Sequence, residues 1–465
     1  MLSIKKKIRI MKEKCAVFGI YSTEEIFNQI YFGLYSMQHR GQESAGIATF
    51  FNRKIYLHKE MGLVAEVFRG INLPGNAGIG HVRYSTTGES KIENAQPLII
   101  NYSKGSFAIA HNGNLINYSD LREMLERKGA IFSTNTDTEV ISQLIAQEHI
   151  KAGNFIVGIK NAMKFLEGAY SLTILTNKGK VFAVRDPWGV RPLSIGKSPS
   201  CYAFASETCA FDILNVKFVR DVKPGEIVKL DENGISSEIG RIENPKHCMF
   251  EYVYFARPDS IINGIPIYEV RKNLGKNLWK EKPTNADIVT SVPDSGTTAA
   301  IGYHHASGIK YSESLIKNRY TGRTFIMPEQ KLREIGVKIK LSPITSEIKG
   351  KEVILIDDSI VRGTTMKNIV SLLKKSGAKK VHVRITCPPI KYPCFYGIDM
   401  QTRKEFVASE KTVEEVCKTI GADSLHYNSI EGLIKSIGIK KENLCLACLT
   451  GEYPIKERQL KLSVL

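Results

Sequence analysis

The chain has no stretch of about 18 consecutive apolar residues, the length that a membrane-crossing helix requires. It also has no secretory signal, because residues 1–14 are basic and lack an apolar segment. Internal repeats and low-complexity tracts are absent as well. These absences argue against a membrane protein, a secreted protein and a repeat protein. They leave a globular chain whose 465 residues are enough for two domains.

Cysteine is sparse, with nine residues in the whole chain. Nine is too few for a disulfide scaffold of this length, and an odd number leaves at least one thiol unpaired. We therefore expect a reducing compartment, the cytoplasm. There, clustered cysteines are better explained by metal binding or catalysis than by disulfides.

Acidic residues are outnumbered, since 47 Asp and Glu face 65 Lys and Arg and give a net charge of +18. Nucleic-acid binding is one interpretation of such a charge. The other is a basic surface that keeps the protein in solution and attracts polyanionic substrates. The chain carries no recognition-helix signature and no aromatic and glycine-rich RNA-binding string. We therefore predict no nucleic-acid partner.

The amino-acid composition is typical of a globular protein, with 43% hydrophobic and 24% charged residues. Up to Gly240, short strands with Gly and Asn turns are typical of an α+β domain. After the polar break Asn244–Lys246, apolar strands alternate with helices, which predicts a parallel sheet. We expect a leader at residues 1–14, a first domain at 15–245, a second domain at 246–410 and a helical tail at 411–465.

The most specific motif runs from Val353 to Thr365. A buried strand ends in two carboxylates, and a short hydroxyl-rich loop then leads into a helix at Met366. Ligands of open α/β sheets bind at such strand ends, where loop amides and a helix N-terminus form a phosphate cradle. The carboxylates suit a ribose diol, or a Mg²⁺ ion that bridges to a pyrophosphate. The candidate residues are Asp357, Asp358, Ser359, Arg362, Gly363, Thr364 and Thr365.

Two adjacent acids alone would indicate a solvated acidic pair, but the whole string resembles the signature of type I phosphoribosyltransferases. Two further segments fit a polyphosphate site. The loop Val292–Thr298, with Ser295 at its centre, can present backbone N–H groups to a pyrophosphate. The basic segment Lys317–Phe325 is interpreted either as a mobile lid that closes on polyphosphate or as a solvated loop.

Cys15 stands at the start of the first predicted strand, where a lone cysteine is usually a packing residue. Removal of residues 1–14 would make it the N-terminal residue. Its own α-amine, with a reference pKa of about 8, would then serve as the base for its thiol. The sequence thus predicts a leader whose removal creates a nucleophile. A start at Met11 in place of Met1 would shorten that leader to four residues.

Glutamine hydrolysis is the chemistry that the neighbouring motifs support. Arg83 can hold the α-carboxylate of glutamine with its planar fork. Asp137 can hold the ammonium group, with a helix cap as the alternative role. The side chain of Asn112 and the backbone N–H of Gly113 can stabilise a tetrahedral oxyanion. The polar cluster His39–Ser44 is expected to shape the pocket.

Four cysteines of the second half form a separate group: Cys248, Cys394, Cys445 and Cys448. A structural zinc site, a [4Fe–4S] cluster and buried free thiols all fit four such residues. Their spacing does not decide between these three alternatives.

Together these motifs resemble those of the glutamine phosphoribosylpyrophosphate (PRPP) amidotransferases, from Cys15 to about Pro454. The resemblance implies an N-terminal-nucleophile hydrolase domain, a four-layer αββα sandwich. A type I phosphoribosyltransferase domain with a parallel sheet is expected to follow it. It also implies that ammonia released from glutamine at Cys15 is joined to PRPP, giving 5-phosphoribosylamine in the first step of purine synthesis.

The resemblance further implies a set of ligands. Ser295, Asp357 and Asp358 would hold Mg²⁺, and the four grouped cysteines would carry a [4Fe–4S] cluster, as in family members with a cleaved leader. A homotetramer inhibited by purine nucleotides is implied as well.

Two other functions remain open on the sequence alone. Another N-terminal-nucleophile amidotransferase would share the first domain but lack the string Asp357–Thr365. A non-catalytic PRPP-binding regulator would keep the second domain without needing Cys15, Arg83 and Asn112 together.

Overall fold

The structure, a computed structural model, describes residues 15–84, 91–318, 341–398, 400, 403 and 406–455. Within those ranges, no helix is both long enough and apolar enough to cross a membrane. The predicted leader and most of the predicted lid Lys317–Phe325 lie outside the described residues.

The first half contains two antiparallel sheets. The strands of the first sheet are β1 (Ala16–Ser22), β2 (Ser44–Phe51), β3 (Lys54–Met61), β4 (Ala77–Arg83), β9 (Ser194–Lys197), β10 (Cys201–Ala205) and β11 (Lys217–Asp221). They are ordered β11-β9-β10-β1-β4-β2-β3. The strands of the second sheet are β5 (Leu98–Tyr102), β6 (Gly105–Leu115), β7 (Gly168–Thr176), β8 (Val181–Arg185), β12 (Glu226–Asp231) and β13 (Gly234–Ile239). They are ordered β13-β12-β8-β7-β6-β5.

Helices cover the outer face of each sheet. The first sheet is covered by α1 (Phe27–Ser36), α2 (Val64–Val67) and α6 (Cys209–Asp212), and the second by α3 (Tyr118–Arg127), α4 (Asp137–Ala152) and α5 (Phe155–Met163). Successive side chains of a strand point to opposite faces. Thus Val17 packs between the two sheets, and Phe18 packs on the helix side with Leu34. The result is the expected four-layer αββα sandwich.

The second half is built on a parallel sheet. Its strands are β17 (Ile288–Ser291), β20 (Glu352–Asp357), β21 (Lys380–Ile385) and β22 (Ser424–Tyr427), in that order. Its principal helices are α7 (Ile267–Glu281), α8 (Thr297–Ser307), α10 (Thr364–Lys375) and α11 (Val413–Ile420). Ile354 packs with Tyr303 of α8 on one face, and Leu355 packs with Ile369 of α10 on the other. Helices on both faces of a parallel sheet confirm the predicted fold class.

Short elements complete the second half. They are β14 (His247–Cys248), β15 (Ile261–Ile262), β16 (Ile265–Pro266), β18 (Leu315–Lys317), β19 (Leu341–Pro343), β23 (Leu444–Cys445), α9 (Thr345–Ile348), α12 (Ile430–Ile437) and α13 (Ala447–Thr450). Strands β14 and β23 pair in parallel, so the C-terminal part of the chain returns to the start of the second half.

The segment 411–465 is not the purely helical tail that the sequence predicts. Strand β22 lies in it and pairs with β21 as the fourth strand of the parallel sheet. The four residues of β22, Ser-Leu-His-Tyr, are too short and too polar to reveal a strand by their pattern.

Candidate active sites

Cys15 lies immediately before β1 and is buried, with 8% of its surface exposed. Its Sγ donates to the carbonyl oxygen of Tyr84 at 3.4 Å, and the N–H of Tyr84 approaches the sulfur at 3.5 Å. Burial raises the pKa of the thiol to about 12, and the charge of Arg83 only partly opposes this rise. The thiol is therefore protonated at neutral pH and needs a base before it can act as a nucleophile.

Arg83 ends β4 and is almost completely buried. Its Nη1 lies 3.2 Å from Oε1 of Glu43, a member of the predicted polar cluster His39–Ser44. Both charges, and that of Asp137, act on the pKa of Cys15, so the structure brings the predicted glutamine-binding residues to the nucleophile.

Asp137 is the first residue of α4, and its carboxylate contacts strand β6. Oδ1 lies 3.4 Å from Nδ1 of His111, and Oδ2 accepts a hydrogen bond of 3.0 Å from the N–H of Leu115. Burial raises the pKa of Asp137, but His111 and backbone N–H donors outweigh it and lower that pKa overall. Asp137 is thus an ionised carboxylate, which suits an ammonium ligand.

The predicted oxyanion residues lie on β6. Gly113 has a φ of 155°, and a Cβ at this position would lie 1.9 Å from the carbonyl oxygen of Ala169, so only glycine fits. The Nδ2 atom of Asn112 lies 3.4 Å from Oγ of Ser206. The same Oγ accepts a hydrogen bond of 3.0 Å from the N–H of Val17. One hydroxyl group therefore links Asn112 to the strand that begins beside the nucleophile.

The amide of Asn112 fits its surroundings better in the flipped orientation. Among the described residues, no donor reaches its buried Oδ1. The hydroxyl of Ser206 accepts from Val17 and needs an acceptor for its own hydrogen. Exchange of the amide oxygen and nitrogen, which have nearly the same shape, provides that acceptor. It also leaves Nδ2 as a buried donor, which is what an oxyanion requires.

Arg40 also lies at this site, and the sequence placed it only within a polar cluster. Its Nε donates to the carbonyl oxygen of Cys15 at 3.3 Å. Its guanidinium bonds Glu207 and lies 2.8 and 2.9 Å from the carboxylate oxygens of Glu251. Burial lowers the pKa of Arg40, but the carboxylates of Glu251 and Glu207 raise it by more than burial lowers it. The side chain therefore stays charged. Arg40 thus holds the backbone of the predicted nucleophile, Cys15.

The second site lies at the carboxyl end of β20. Gly363, with a φ of 76°, directly precedes α10, which points its N-terminus at the loop. The N–H of Asp358 and the hydroxyl of Ser295 each donate to Oδ1 of Asp357 at 2.9 Å. The structure therefore brings the loop Val292–Thr298 to the two acidic residues.

Both carboxyl groups of this pair resist ionisation. Burial raises the pKa of Asp357 well above its ordinary value, and the charge of Asp358 adds to the rise. Burial also raises the pKa of Asp358, and the positive charge of Arg271 opposes this rise. Arg271 itself is buried and donates to the carbonyl oxygens of Tyr252 and Ala256 at 3.1 and 2.7 Å. It was not predicted, because nothing in the sequence distinguishes one arginine of an amphipathic helix.

One cavity of about 870 Å³ contains this site. Every residue of the predicted loop Asp357–Thr365 lines it, together with Ser295 and Arg271. Tyr35 and His39 of the first half line it as well. The cavity therefore borders both halves of the molecule.

The four grouped cysteines lie near one another. Cys248 and Cys445 are register partners in the parallel pair of β14 and β23. Burial raises the pKa of Cys448 well above its ordinary value, and the other three thiols are among the neighbours that add to it. All nine cysteines of the chain are free thiols. Within the described ranges, no three His, Cys, Asp or Glu side chains converge closely enough to hold a single metal ion.

Comparison with known proteins agrees with this geometry. A glutamine amidotransferase domain model matches residues 81–212, and a phosphoribosyl transferase domain model matches residues 267–394. The chain thus has the architecture of enzymes that join these two domains.

Relatives specify the family. The amidophosphoribosyltransferase of Methanocaldococcus jannaschii is 53% identical, over 95% of this chain and 97% of its own length. That of Methanothermobacter thermautotrophicus is 53% identical, over 96% of this chain and 95% of its own. The chain belongs to the amidophosphoribosyltransferase family, which confirms the resemblance seen in the motifs.

A solved structure gives the same result. The glutamine PRPP amidotransferase of B. subtilis, complexed with ADP and GMP, superposes with a TM-score of 0.89 at 48% identity. The match covers 95% of this chain and 98% of that one.

Proposed function

We propose that this chain hydrolyses glutamine at Cys15 and joins the released ammonia to C1 of PRPP at the loop Asp357–Thr365. Glutamine, PRPP and water become glutamate, 5-phosphoribosylamine and pyrophosphate, in the first step of purine biosynthesis. The observation that carries the proposal is the cavity, whose wall includes that loop and also Tyr35 and His39 of the glutaminase half. A different amidotransferase, or a regulator without catalysis, would need only one of the two sites.

The glutaminase step begins with the loss of residues 1–14, which frees the amine of Cys15. The amine takes the thiol proton that burial otherwise retains, and Sγ attacks the side-chain amide carbon of glutamine. The proton passes to the departing ammonia, and water then hydrolyses the thioester to release glutamate. Arg83 holds the α-carboxylate of glutamine, and the ionised Asp137 holds its α-ammonium group.

The tetrahedral intermediates of this step carry a negative oxygen. We propose that the flipped amide of Asn112 and the N–H of Gly113, both on β6, donate to it. Arg40 keeps the carbonyl of Cys15, and hence the nucleophile, fixed relative to these donors. Donors that are already in place need no reorganisation when the charge develops.

The buried pair Asp357 and Asp358 suits Mg²⁺. Two adjacent carboxyl groups in a low dielectric resist ionisation until a cation neutralises them, and Ser295 adds a third oxygen ligand. When bound, this ion would neutralise charge on the departing pyrophosphate. The chain itself cradles the phosphates with the loop N–H groups and the N-terminus of α10.

Ammonia has to reach PRPP before water protonates it. Tyr254, Phe255 and Val292 give the cavity wall apolar surface for this transfer. Lys317, the first residue of the predicted lid, lines the same cavity, and its Nζ lies 3.1 Å from Oδ2 of Asp294 in the loop Val292–Thr298.

We propose a [4Fe–4S] cluster on Cys248, Cys394, Cys445 and Cys448. Four cysteine thiolates are the ligand set that such a cluster takes, and the thiols of the other three residues are among the neighbours that raise the pKa of Cys448. Such a cluster would tie the C-terminal segment to Cys248 at the start of the second half and to Cys394.

Further features belong to the same proposal. We place the chain in the leader-bearing, iron–sulfur type of the family, with domain limits near residues 245 and 410. Nine free thiols are compatible with the reducing cytoplasm. The B. subtilis relative was complexed with ADP and GMP, which supports inhibition by purine nucleotides. We also propose a homotetramer.

The substitution Cys15→Ala tests the division of labour. Glutamine-dependent synthesis of phosphoribosylamine should disappear, and synthesis from ammonia should remain. Cys201→Ala is the matched control, because Cys201 is also a buried cysteine of the first half with 8% exposure. Loss of both activities in Cys15→Ala would contradict the proposal. The intact mass of anaerobically purified protein reports whether the leader has been removed.

A further inference from the structure

Three consecutive residues that follow Cys394 contact the glutaminase half. The carbonyl oxygen of Phe395 accepts a hydrogen bond of 2.9 Å from Nδ2 of Asn114 on β6. The carbonyl oxygen of Tyr396 accepts two from Arg191, at 2.6 Å from Nη2 and 3.2 Å from Nε. Phe395 and Tyr396 are therefore bound to the glutaminase half through backbone atoms.

The third contact reaches the oxyanion site. A Cβ placed on Gly397 would lie 3.0 Å from both the carbonyl carbon and the carbonyl oxygen of Gly113. Contacts at that distance leave no room for a methyl group without a shift of one backbone or the other. Gly397 thus packs directly on the residue proposed to stabilise the oxyanion.

Arg191 extends this contact to the nucleophile. Its Nη1 lies 3.0 Å from Oε1 of Glu251. The same carboxylate binds Arg40, which donates to the carbonyl of Cys15. Arg40, Arg191 and Glu251 are each no more than 1% exposed. A continuous chain of buried charges therefore connects the carbonyl of Tyr396 to that of Cys15.

The backbone beside Arg191 has little freedom. The carboxylate of Asp186 accepts hydrogen bonds from the N–H groups of Trp188, Val190 and Arg191 at 3.0, 3.1 and 3.3 Å. A buried charge that loses its partner is strongly unfavourable. Displacement of Tyr396 therefore perturbs Arg191, Glu251 and Arg40 in turn.

We propose that Phe395–Gly397 is a positioning segment for the glutamine site. It holds Cys15 through the two arginines and Glu251, and it holds Gly113 by direct packing. The N–H of Cys394 also bonds the carbonyl of Met400 at 2.8 Å, and Met400 lines the PRPP cavity. The segment thus runs from one active site to the wall of the other. This inference rests on the proposed roles of Cys15 and Gly113.

Gly397→Ala tests the packing contact, and Gly438→Ala is its control. Both glycines have positive φ, 97° and 81°, but a Cβ at Gly438 meets nothing within 4 Å. We expect Gly397→Ala to lower kcat with glutamine by at least about tenfold, the scale of a disturbed oxyanion site. Ammonia-dependent synthesis should change by less than about twofold, and Gly438→Ala should change neither activity.

Glu251→Gln tests the charged chain, and Glu226→Gln is its control. Glu226 is also a buried glutamate, paired with Arg220 at 2.7 and 2.8 Å, and within the described part of the chain no hydrogen bond links this pair to Cys15. Only Glu251→Gln should lower glutamine-dependent kcat and slow the alkylation of Cys15 by a reactive glutamine analogue. Arg191→Lys should act on the same step, and the double variant should lose less than the two single losses combined.

Equal loss of glutamine-dependent and ammonia-dependent synthesis in these variants would overturn the inference, as would unchanged glutamine kinetics. If Gly397→Ala does not fold, Asn114→Ala removes the 2.9 Å contact to Phe395, together with a 3.3 Å bond to the carbonyl oxygen of Leu115, and is expected to lower glutamine-dependent kcat several-fold. Cys15→Ala distinguishes failure of the proposed function from failure of the positioning role. If Cys15→Ala still uses glutamine, the role of Cys15 is refuted. If Cys15→Ala loses glutamine use but Glu251→Gln and Asn114→Ala keep normal activity, only the positioning segment is refuted.

Discussion

The hydroxyl of Ser295 donates a hydrogen bond of 2.9 Å to Oδ1 of Asp357, joining two loops that are 62 residues apart in the sequence. Each loop follows a strand of the parallel sheet, and β17 and β20 are neighbours in that sheet. The contact therefore assembles one oxygen-rich site from two separate motifs at the same sheet edge.

Asp357→Asn should stabilise the protein in the absence of magnesium at neutral pH while it abolishes PRPP use. The folded pKa of Asp357 is raised, so its contribution to stability is complete below the unfolded pKa of about 4 and is lost as pH rises through the folded value. Asparagine does not ionise, so the variant does not lose this stability as pH rises. A gain of about 1 kcal/mol would raise Tm by about 2 to 4 °C. Thermal unfolding with and without magnesium checks this, since magnesium should stabilise only the parent protein. A lower Tm for the variant without magnesium would contradict the assignment.

His111→Gln should shift the acid limb of kcat/KM for glutamine to higher pH. Burial raises the pKa of Asp137, but His111 helps to lower it overall, so the carboxylate stays ionised as pH falls. Without His111, Asp137 becomes protonated at a higher pH. It then no longer binds the ammonium group of glutamine. The stability that the ionised carboxylate provides should also begin to decline at a higher pH. Profiles of the parent, His111→Gln and the control His149→Gln measure this, and an unshifted limb would count against the role of Asp137.

Gly275→Ala should destabilise the second half. A Cβ at Gly275 of α7 would lie 1.8 Å from the carbonyl oxygen of Ala299 in α8, so the two helices would have to separate. Overpacking of this kind costs about 1 to 3 kcal/mol. Lys276→Ala, at the next position, should change stability by less than about 0.5 kcal/mol. Thermal unfolding of both variants provides the comparison, and equal Tm values would show that the helices adapt without cost.

Cys248→Ser and Cys445→Ser should each remove the visible absorbance and the bound iron of anaerobically purified protein. These two residues face each other across the β14–β23 pair, so either loss would remove one ligand of the proposed cluster. Cys417→Ser is the control, because the half-buried Cys417 bonds the carbonyl of Ala422 at 3.3 Å and lies outside the group. If the purified protein contains zinc in place of iron, the four cysteines form a structural zinc site, the alternative that their spacing leaves open.

The local motifs were the most predictable part of the molecule. The helix predicted to begin at Met366 is observed as Thr364–Lys375, and α4 begins at Asp137, the residue for which the sequence also allowed a helix cap. The apolar periodicity of these helices and the polar residues at their N-termini are local signals, which consecutive residues of the sequence reveal. The same holds for the loop Asp357–Thr365, whose strand, acids and hydroxyl groups form one continuous string.

The long-range contacts were not predictable from one sequence. Arg40 and Glu251 are 211 residues apart, and no periodic pattern relates them. Arg271 reaches the second site only because α7 lies beside the loop, which depends on tertiary packing. Strand β22 depends on its neighbour β21 more than on its own four residues.

The pairing of β14 with β23 has a consequence for biosynthesis. The two strands are separated by about 200 residues, and the later one lies close to the C-terminus. During translation, β14 stays without its partner until about 200 further residues have left the ribosome. Cys248 and Cys445 therefore meet only after that synthesis, so loading of the proposed cluster would have to follow it.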